Sequence, residues 1–258
     1  MAAEKTRGII LRVVEFSETS CVLTLFTEDF GKVGALAKGA RRPKGPFEGA
    51  LDLLALVRIV LLRKSSDSLD LLTEAKLERR FRSAQRSLSR LYAGYYVAEL
   101  LSELTEPGDP HRELFRAADA ALAALDNNEP VAETLLRMEL TALLEAGHLP
   151  SLDQCVVCGR QVEIGKRVAF GMTAGGVLCD ECRPGRRGVI SVSRDVIRAM
   201  KTASDLVTST AAEQAGPVLL TLDATILGEL RAVMNNYFAH LLGHRLKMSE
   251  YLGASPTP

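Results

Sequence analysis

The sequence predicts an α+β protein in which an N-terminal five-stranded β-barrel precedes a mainly α-helical domain with an inserted four-cysteine segment. Three observations predict this architecture. Short β-rich runs fill the first third of the 258-residue chain, helical periodicity follows them, and four of the five cysteines form two Cys-x-x-Cys pairs.

Five strand-like runs lie in residues 7–77. RGIILRVVEF is rich in β-branched residues, the next two runs flank a turn at 28–31, and the last two flank a polar turn at 65–68. The loop ARRPKGPFEGA separates the third run from the fourth. Five short strands with a long break after the third favour a closed barrel of the OB-fold type, with an SH3-like barrel or an open sheet as alternatives.

Helical periodicity begins after the barrel. The run RRFRSAQRSLSRLYAGYYVAELLSELT predicts a first helix, and HRELFRAADAALAAL and VAETLLRMELTALLEAGHL predict two more. Two further helices are expected in SRDVIRAMKTAS and TILGELRAVMNNYFAHLLGHRLKMSEYL. The predicted domains are the barrel, 1–78, the first part of the helical domain, 79–150, the cysteine segment, 151–188, and the second part of the helical domain, 189–258.

The two cysteine pairs predict a metal site. Their members are Cys155, Cys158, Cys179 and Cys182, which match the Cys-x₂-Cys…Cys-x₂-Cys pattern of zinc proteins. Two cysteines three apart in a tight turn can face one ion, and two such turns complete a tetrahedron of thiolates. One structural Zn²⁺ is therefore expected, with two disulfides or an iron–sulfur cluster as alternatives. The fifth cysteine, Cys21, is expected to be a buried core residue.

Several classes of protein are excluded by motifs that the sequence lacks. It has no phosphate-binding P-loop, no Gly-x-Ser-x-Gly and no His-Glu-x-x-His. The closed cysteine site also offers no open position to a substrate, so the protein is predicted not to be an enzyme. Its apolar runs are too short to span a membrane and its N-terminus does not read as a signal peptide, so a cytoplasmic protein is expected.

Basic side chains are concentrated near the start of the chain. Residues 1–90 carry 17 Lys and Arg against 11 Asp and Glu, although the whole chain is neutral. The basic loop after the third predicted strand contains Lys38, Arg41, Arg42 and Lys44, and the start of the first predicted helix contains Arg79, Arg82 and Arg86. With Arg90, the second set is spaced to line one helical face. Both clusters are candidate DNA contacts, since basic patches bind phosphate backbones. Phe47, beside the basic loop, is either a base-stacking residue or a cap on the barrel.

Three stretches of the chain carry a family resemblance. They are GIILRVVEFSETSCVLTLFTEDFGKVGALAKGARRPK, the two cysteine pairs at 155–182, and the ending YFAHLLGHRLKMSEYL. Together they resemble the RecO family of bacterial recombination mediators. The resemblance covers nearly the whole chain in the order barrel, helices, cysteine pairs and helices.

The resemblance implies a non-enzymatic protein of DNA repair and homologous recombination. RecO-like proteins bind single- and double-stranded DNA and anneal complementary strands. With RecR, they help to load the recombinase RecA onto strands coated with single-strand-binding protein. Carried over by position, the resemblance implies DNA contacts at Lys38, Arg41, Arg42 and Lys44, and a nucleoid-associated location. The alternative is a zinc-containing protein-interaction scaffold with only incidental nucleic-acid binding.

Overall fold

The computed structural model describes residues 3–42, 45, 47, 49–64, 68–209 and 223–252. The chain divides into two compact units, Met1–Glu129 and Pro130–Pro258, and each is described by itself. Among these residues, the first unit holds a barrel and two α-helices, and the second holds three α-helices, a small sheet and the cysteine pairs. The finer division at residues 78, 150 and 188 stays a prediction. No helix in the described ranges is both long enough and apolar enough to cross a bilayer.

The first five strands form a closed barrel. They are β1 (Ala3–Glu15), β2 (Cys21–Thr27), β3 (Gly31–Ala37), β4 (Leu56–Leu62) and β5 (Asp70–Arg79). Their order around the barrel is β1-β2-β3-β5-β4, with β3 and β5 parallel and every other pair antiparallel. The barrel closes because β1 is long: its first half pairs with β4 and its second half with β2. The predicted OB-like barrel and α+β class are confirmed.

Every second side chain along the strands points inward, and these side chains fill the barrel interior. Leu23 and Leu25 of β2 and Ile59 and Leu61 of β4 are completely buried, as inward-facing positions of period two should be. The loop between β3 and β4 adds Phe47, which is only 3% exposed and belongs to this core. Phe47 is therefore the cap on the barrel, and the stacking alternative for it is wrong. Cys21 is buried as predicted, and burial raises the pKa of its thiol.

The helices of the first unit are α1 (Leu88–Leu104) and α2 (Arg112–Asp126). Helix α1 begins at residue 88, so the prediction of helix from residue 79 is wrong. The intervening chain makes a 3₁₀ turn at Ser83–Gln85, held by tertiary contacts. The backbone N–H groups of Arg82 and Ser83 donate to one carboxylate oxygen of Asp126, at 2.9 and 2.7 Å. These bonds draw the segment toward the end of α2, which local helix propensity does not anticipate.

Helix α2 is joined to the barrel by a contact between aromatic rings and by ion pairs. The rings of Phe26 on β2 and Phe115 on α2 are 6.3 Å apart. Arg7 of β1 lies over the Phe115 ring and its guanidinium bonds Asp119 at 2.9 Å. Because these groups are partly shielded from water, the contacts are more favourable than exposed ion pairs.

Gly31, at the start of β3, is expected to tolerate no side chain. Its φ is +62°, and a Cβ there would lie 1.9 Å from the carbonyl oxygen of Asp109. We expect Gly31→Ala to lower the free energy of unfolding by about 2 to 3 kcal/mol, through left-handed strain and overpacking against backbone. Gly108→Ala is the matched control: its φ is +77° but its Cβ would meet nothing within 4 Å, so only the strain of about 1 kcal/mol applies. Equal urea midpoints for the two variants would contradict this account of Gly31.

The described part of the second unit contains α3 (Val131–Glu145), α4 (Arg194–Thr208) and α5 (Ala224–Leu242), together with a three-stranded sheet. The strands are β6 (Arg167–Gly171), β7 (Gly176–Leu178) and β8 (Val189–Ser193), in the antiparallel order β7-β6-β8. This sheet was not predicted. Helix α5 also ends earlier than predicted, at Leu242, and Gly243 follows it with a left-handed φ of +77°, which a residue without a side chain adopts readily.

Candidate metal centre and nucleic-acid interface

Strand β7 brings the two cysteine pairs together. Cys179 follows the last residue of β7 directly, so the strand positions the second pair. The first pair is held against the same strand: the N–H of Val156 donates to Val177 at 3.1 Å, and the N–H of Val177 donates to Ser151 at 2.9 Å. Backbone pairing therefore places Cys155 and its neighbours beside Cys179.

Each pair forms a tight backbone turn. In the first turn, the N–H of Cys155 donates to the carbonyl of Arg160 and that of Gly159 donates to the carbonyl of Cys155, both at 2.8 Å. The left-handed φ of Gly159, +71°, allows the chain to reverse there. In the second turn, the N–H of Cys182 donates to the carbonyl of Cys179 at 3.1 Å. Both turns therefore direct their two thiols to the same side.

The four sulfur atoms have the spacing that a tetrahedral metal site requires. All four Sγ atoms lie within 4.8 Å of one another, and those of Cys158 and Cys179 are 3.8 Å apart. Four thiolates around Zn²⁺ at about 2.3 Å each would be separated by about 3.8 Å. Donor type and spacing thus fit a Zn²⁺ ion, and all four residues are free thiols rather than disulfides.

The thiols differ in their readiness to ionise. Burial alone would raise the pKa of Cys155, but backbone N–H donors, first that of Cys179 and then that of Cys158, lower it to about 6. A hydrogen bond with Cys179, together with burial, raises the pKa of Cys182 to about 12. The fold therefore favours a thiolate at Cys155, whereas neighbouring sulfurs hold a proton at Cys182. A divalent cation would release that proton by stabilising all four thiolates.

An ion pair connects the two turns outside the sulfur cluster. Arg160, which follows the first pair, donates through both guanidinium NH₂ groups to the carboxylate of Glu181, which lies inside the second pair. Both partners are exposed. This fork geometry holds the turns in register, although in water such a pair adds little stability by itself.

The basic loop lies at the end of β3, against the loop that joins β1 to β2. Lys38, Arg41 and Arg42 are all exposed. The N–H of Arg41 donates to the carbonyl of Thr19 at 3.1 Å, and its guanidinium lies 3.0 Å from the carboxylate of Glu15. Lys44 lies outside the described residues. The structure thus brings three of the four predicted loop cations to one end of the barrel, where their role as DNA contacts stays a prediction.

The arginines of the second cluster do not line one helical face, and that prediction is wrong. Arg79 ends β5 and its guanidinium pairs with Asp119 of α2. Arg90, in α1, donates to the carbonyls of Leu125 and Glu129, both at 2.9 Å. These two side chains are therefore engaged in holding α2.

Arg82 and Arg86 flank the 3₁₀ turn and are exposed. Among the described residues, neither side chain forms an ion pair. They form a small basic site separate in sequence from the basic loop. Their predicted part in DNA binding, like that of Arg79, stays a prediction.

Comparisons with known proteins cover the chain almost end to end. The family described as Recombination protein O N terminal matches residues 1–81, and Recombination protein O C terminal matches residues 85–250. A relative named DNA repair protein RecO, from Rhodopirellula baltica, is 43% identical over 95% of this chain and 97% of its own. A relative of the same name from Anaeromyxobacter dehalogenans is 34% identical over 98% and 96%, and one from Myxococcus xanthus is 33% identical over 95% of each chain.

The chain has a closed OB-like barrel, a helical part and a four-cysteine cluster. Relatives named DNA repair protein RecO match it along nearly its whole length, which places it in the class of DNA-repair proteins. The chain belongs to the RecO family. The resemblance drawn from the sequence is thereby confirmed, and family membership supports a role in DNA repair.

Proposed function

We propose that this protein is a recombination mediator that binds single- and double-stranded DNA and anneals complementary strands. It helps to load a RecA-type recombinase onto strands coated with single-strand-binding protein, and it does so together with RecR, in the cytoplasm and on the nucleoid. Membership in the RecO family supports the proposal most strongly. The exposed cations of the basic loop supply a physical means of binding DNA.

The proposed mechanism is electrostatic and has no covalent step. Lys38, Arg41 and Arg42 neutralise phosphates of one strand and release its counterions. A partly neutralised strand repels a second strand less, so complementary sequences meet and pair more often. The protein acts on every sequence alike, because phosphate contacts carry no base information.

The proposed role of the metal is to hold the second unit's cysteine segment together. Cys155, Cys158, Cys179 and Cys182 would bind one Zn²⁺ through four thiolates. The ion would supply folding energy and no reaction chemistry, since four protein ligands fill its tetrahedron. We therefore propose that the protein is not an enzyme.

Charge reversal in the basic loop tests the DNA-binding part of this proposal. We expect R41E/R42E to weaken binding to oligonucleotides of any sequence by roughly tenfold or more. The slope of log affinity against log salt concentration should become shallower by about one to two. Binding is measured by fluorescence anisotropy of labelled strands over a series of salt concentrations.

Arg198→Glu is a suitable control, since Arg198 is exposed on α4 of the other unit and forms no ion pair with the described residues. Its affinity and salt slope should stay close to those of the wild type. If R41E/R42E binds as the wild type does, the DNA surface lies elsewhere, and R82E/R86E is the next variant to measure. Unchanged mobility of DNA with the wild-type protein at low salt would favour the scaffold alternative.

A further inference from the structure

Phe16 is an exposed aromatic residue on a barrel whose other phenylalanines are shielded. Its exposed fraction is 67%, whereas Phe26 and Phe47 are buried and Phe30 packs partly against the core. Single exposed apolar residues are common on protein surfaces. A phenylalanine ring largely in water is more informative, because its burial would contribute about 1.5 to 3 kcal/mol to folding.

The loop that carries Phe16 is an ordered turn. The N–H groups of Phe16 and Ser17 both donate to the carbonyl of Ser20, at 3.0 and 3.2 Å, and the N–H of Ser20 returns a bond to Ser17. The turn therefore fixes the backbone from which the ring projects, and less conformational entropy is lost when the ring binds a ligand.

The same loop is tied to the basic loop. Thr19 accepts the N–H of Arg41, and Glu15, next to Phe16 in the chain, forms an ion pair with the Arg41 guanidinium. The loop between β1 and β2 and the basic loop after β3 thus meet at one end of the barrel. One contributes an exposed aromatic ring and the other contributes exposed cations.

Outward-facing side chains of the strands extend this surface with aliphatic residues. Val14 lies two residues before Phe16 and is 41% exposed. Its cross-strand partner on β2 is Val22, whose partner on β3 is Leu36, and both are half-buried. These residues form a row from the loop that carries Phe16 to β3, the strand that ends at the basic loop. The row is an apolar surface beside the cations, and binding of a phosphate backbone alone would not require one.

We propose that Phe16 stacks on an unpaired base of a DNA single strand whose phosphates are held by Lys38, Arg41 and Arg42. The inference rests on the proposed DNA binding and adds to it a preference for single strands. A base in a duplex has both faces covered by its neighbours, whereas a base in a single strand can turn a face toward an aromatic ring. Stacking is tolerant of sequence, because every base has such a face.

The test compares two ligands with equal phosphate charge. One is a labelled oligothymidylate, and the other is an abasic strand of the same length. We expect Phe16→Ala in the full chain to weaken binding to oligothymidylate about five- to hundredfold and to leave binding to the abasic strand unchanged. R42E should weaken binding to both ligands, because it acts on phosphates.

Phe16→Trp supplies a direct signal, since the chain has no natural tryptophan. Its affinity should match the wild type, and its fluorescence should be quenched by oligothymidylate and not by the abasic strand. Tyr251→Ala, which removes an exposed aromatic from the other unit, is the control and should bind both ligands normally.

The outcomes separate this inference from the proposed function. Equal affinities of Phe16→Ala and wild type for oligothymidylate, or an equal loss on both ligands, would overturn base stacking while leaving DNA binding intact. Absence of quenching in a Phe16→Trp protein that is saturated by anisotropy would overturn it as well. Failure of the wild type to bind either ligand at low salt would overturn both proposals. Matching melting curves show that Phe16→Ala is folded.

Discussion

Cys155→Ser is expected to abolish metal binding and to unfold the cysteine segment of the second unit. Cys155 is the most buried of the four ligands, at 1% exposure, and the stretches that carry the two pairs, residues 153–167 and 179–188, bury no other side chain. Structural zinc contributes an apparent binding free energy of about 10 to 16 kcal/mol in zinc-finger peptides. That contribution is comparable with the whole stability of a typical domain, about 5 to 15 kcal/mol. Zinc content and thermal unfolding of the purified variant measure the effect.

Cys21→Ala is the matched control for that experiment. It also removes a buried cysteine, but one in the barrel and far in sequence from the cluster. The control should keep one Zn²⁺ per chain, with only the modest loss of stability expected from a small cavity. A Cys155→Ser protein with unchanged zinc content and unchanged melting would contradict a metal-stabilised segment.

Glu139→Ala is expected to destabilise the second unit by about 3 to 5 kcal/mol, because it leaves the charge of Arg231 buried without its carboxylate. Glu139 of α3 is fully buried, and Arg231 of α5 is 10% exposed at its side chain. The guanidinium meets the carboxylate with both NH₂ groups, one of them at 2.8 Å. Urea unfolding followed by circular dichroism measures the change.

The double variant E139L/R231M identifies the cause of that loss. Replacing both charges with apolar side chains removes the desolvation cost together with the attraction, so it should recover most of the stability. If E139L/R231M loses as much free energy of unfolding as the single variants E139L and R231M lose together, the two charges do not act as a pair.

Glu113→Ala is the control for Glu139→Ala. It breaks an exposed pair with Arg116 on α2 and should cost less than about 1 kcal/mol.

The barrel was predictable because each strand carries its own signal. Alternation in β2 and β3, β-branched residues in β1 and a turn with Asp and Gly at 28–31 act over a few residues. The long break after β3 then distinguishes the topology, because β4 pairs with β1 and β5 rather than with β3, so the chain must leave β3 before β4 begins. The cysteine spacing was equally local. For these features sequence and structure agree.

Segment 80–87 was mispredicted because its conformation depends on a distant residue. Its sequence has helical spacing, yet backbone bonds to Asp126, more than 40 residues away, hold it in a turn. Strands β6, β7 and β8 were missed because they are only three to five residues long and pair through tertiary contacts. Periodicity over so few residues is too weak a signal to separate a strand from a loop.

Aromatic exposure was the least predictable property of the barrel. Phe47 follows a basic loop in the sequence but turns inward to close the core, whereas Phe16 follows a strand and turns outward. Counting alternate residues from the half-buried Val13 places Val14 and Phe16 on the outer face, which is the signal that could have identified Phe16. Loop residues such as Phe47 have no such period to count.

Annealing of precoated strands tests the proposed function most directly. Two complementary labelled oligonucleotides are coated with the cognate single-strand-binding protein, and duplex formation is followed by fluorescence with and without the zinc-loaded protein. We expect the wild type to accelerate annealing, Arg198→Glu to match it and R41E/R42E to lose most of the acceleration. No acceleration by the folded wild-type protein would contradict the mediator function and favour a scaffold that acts only through its partners.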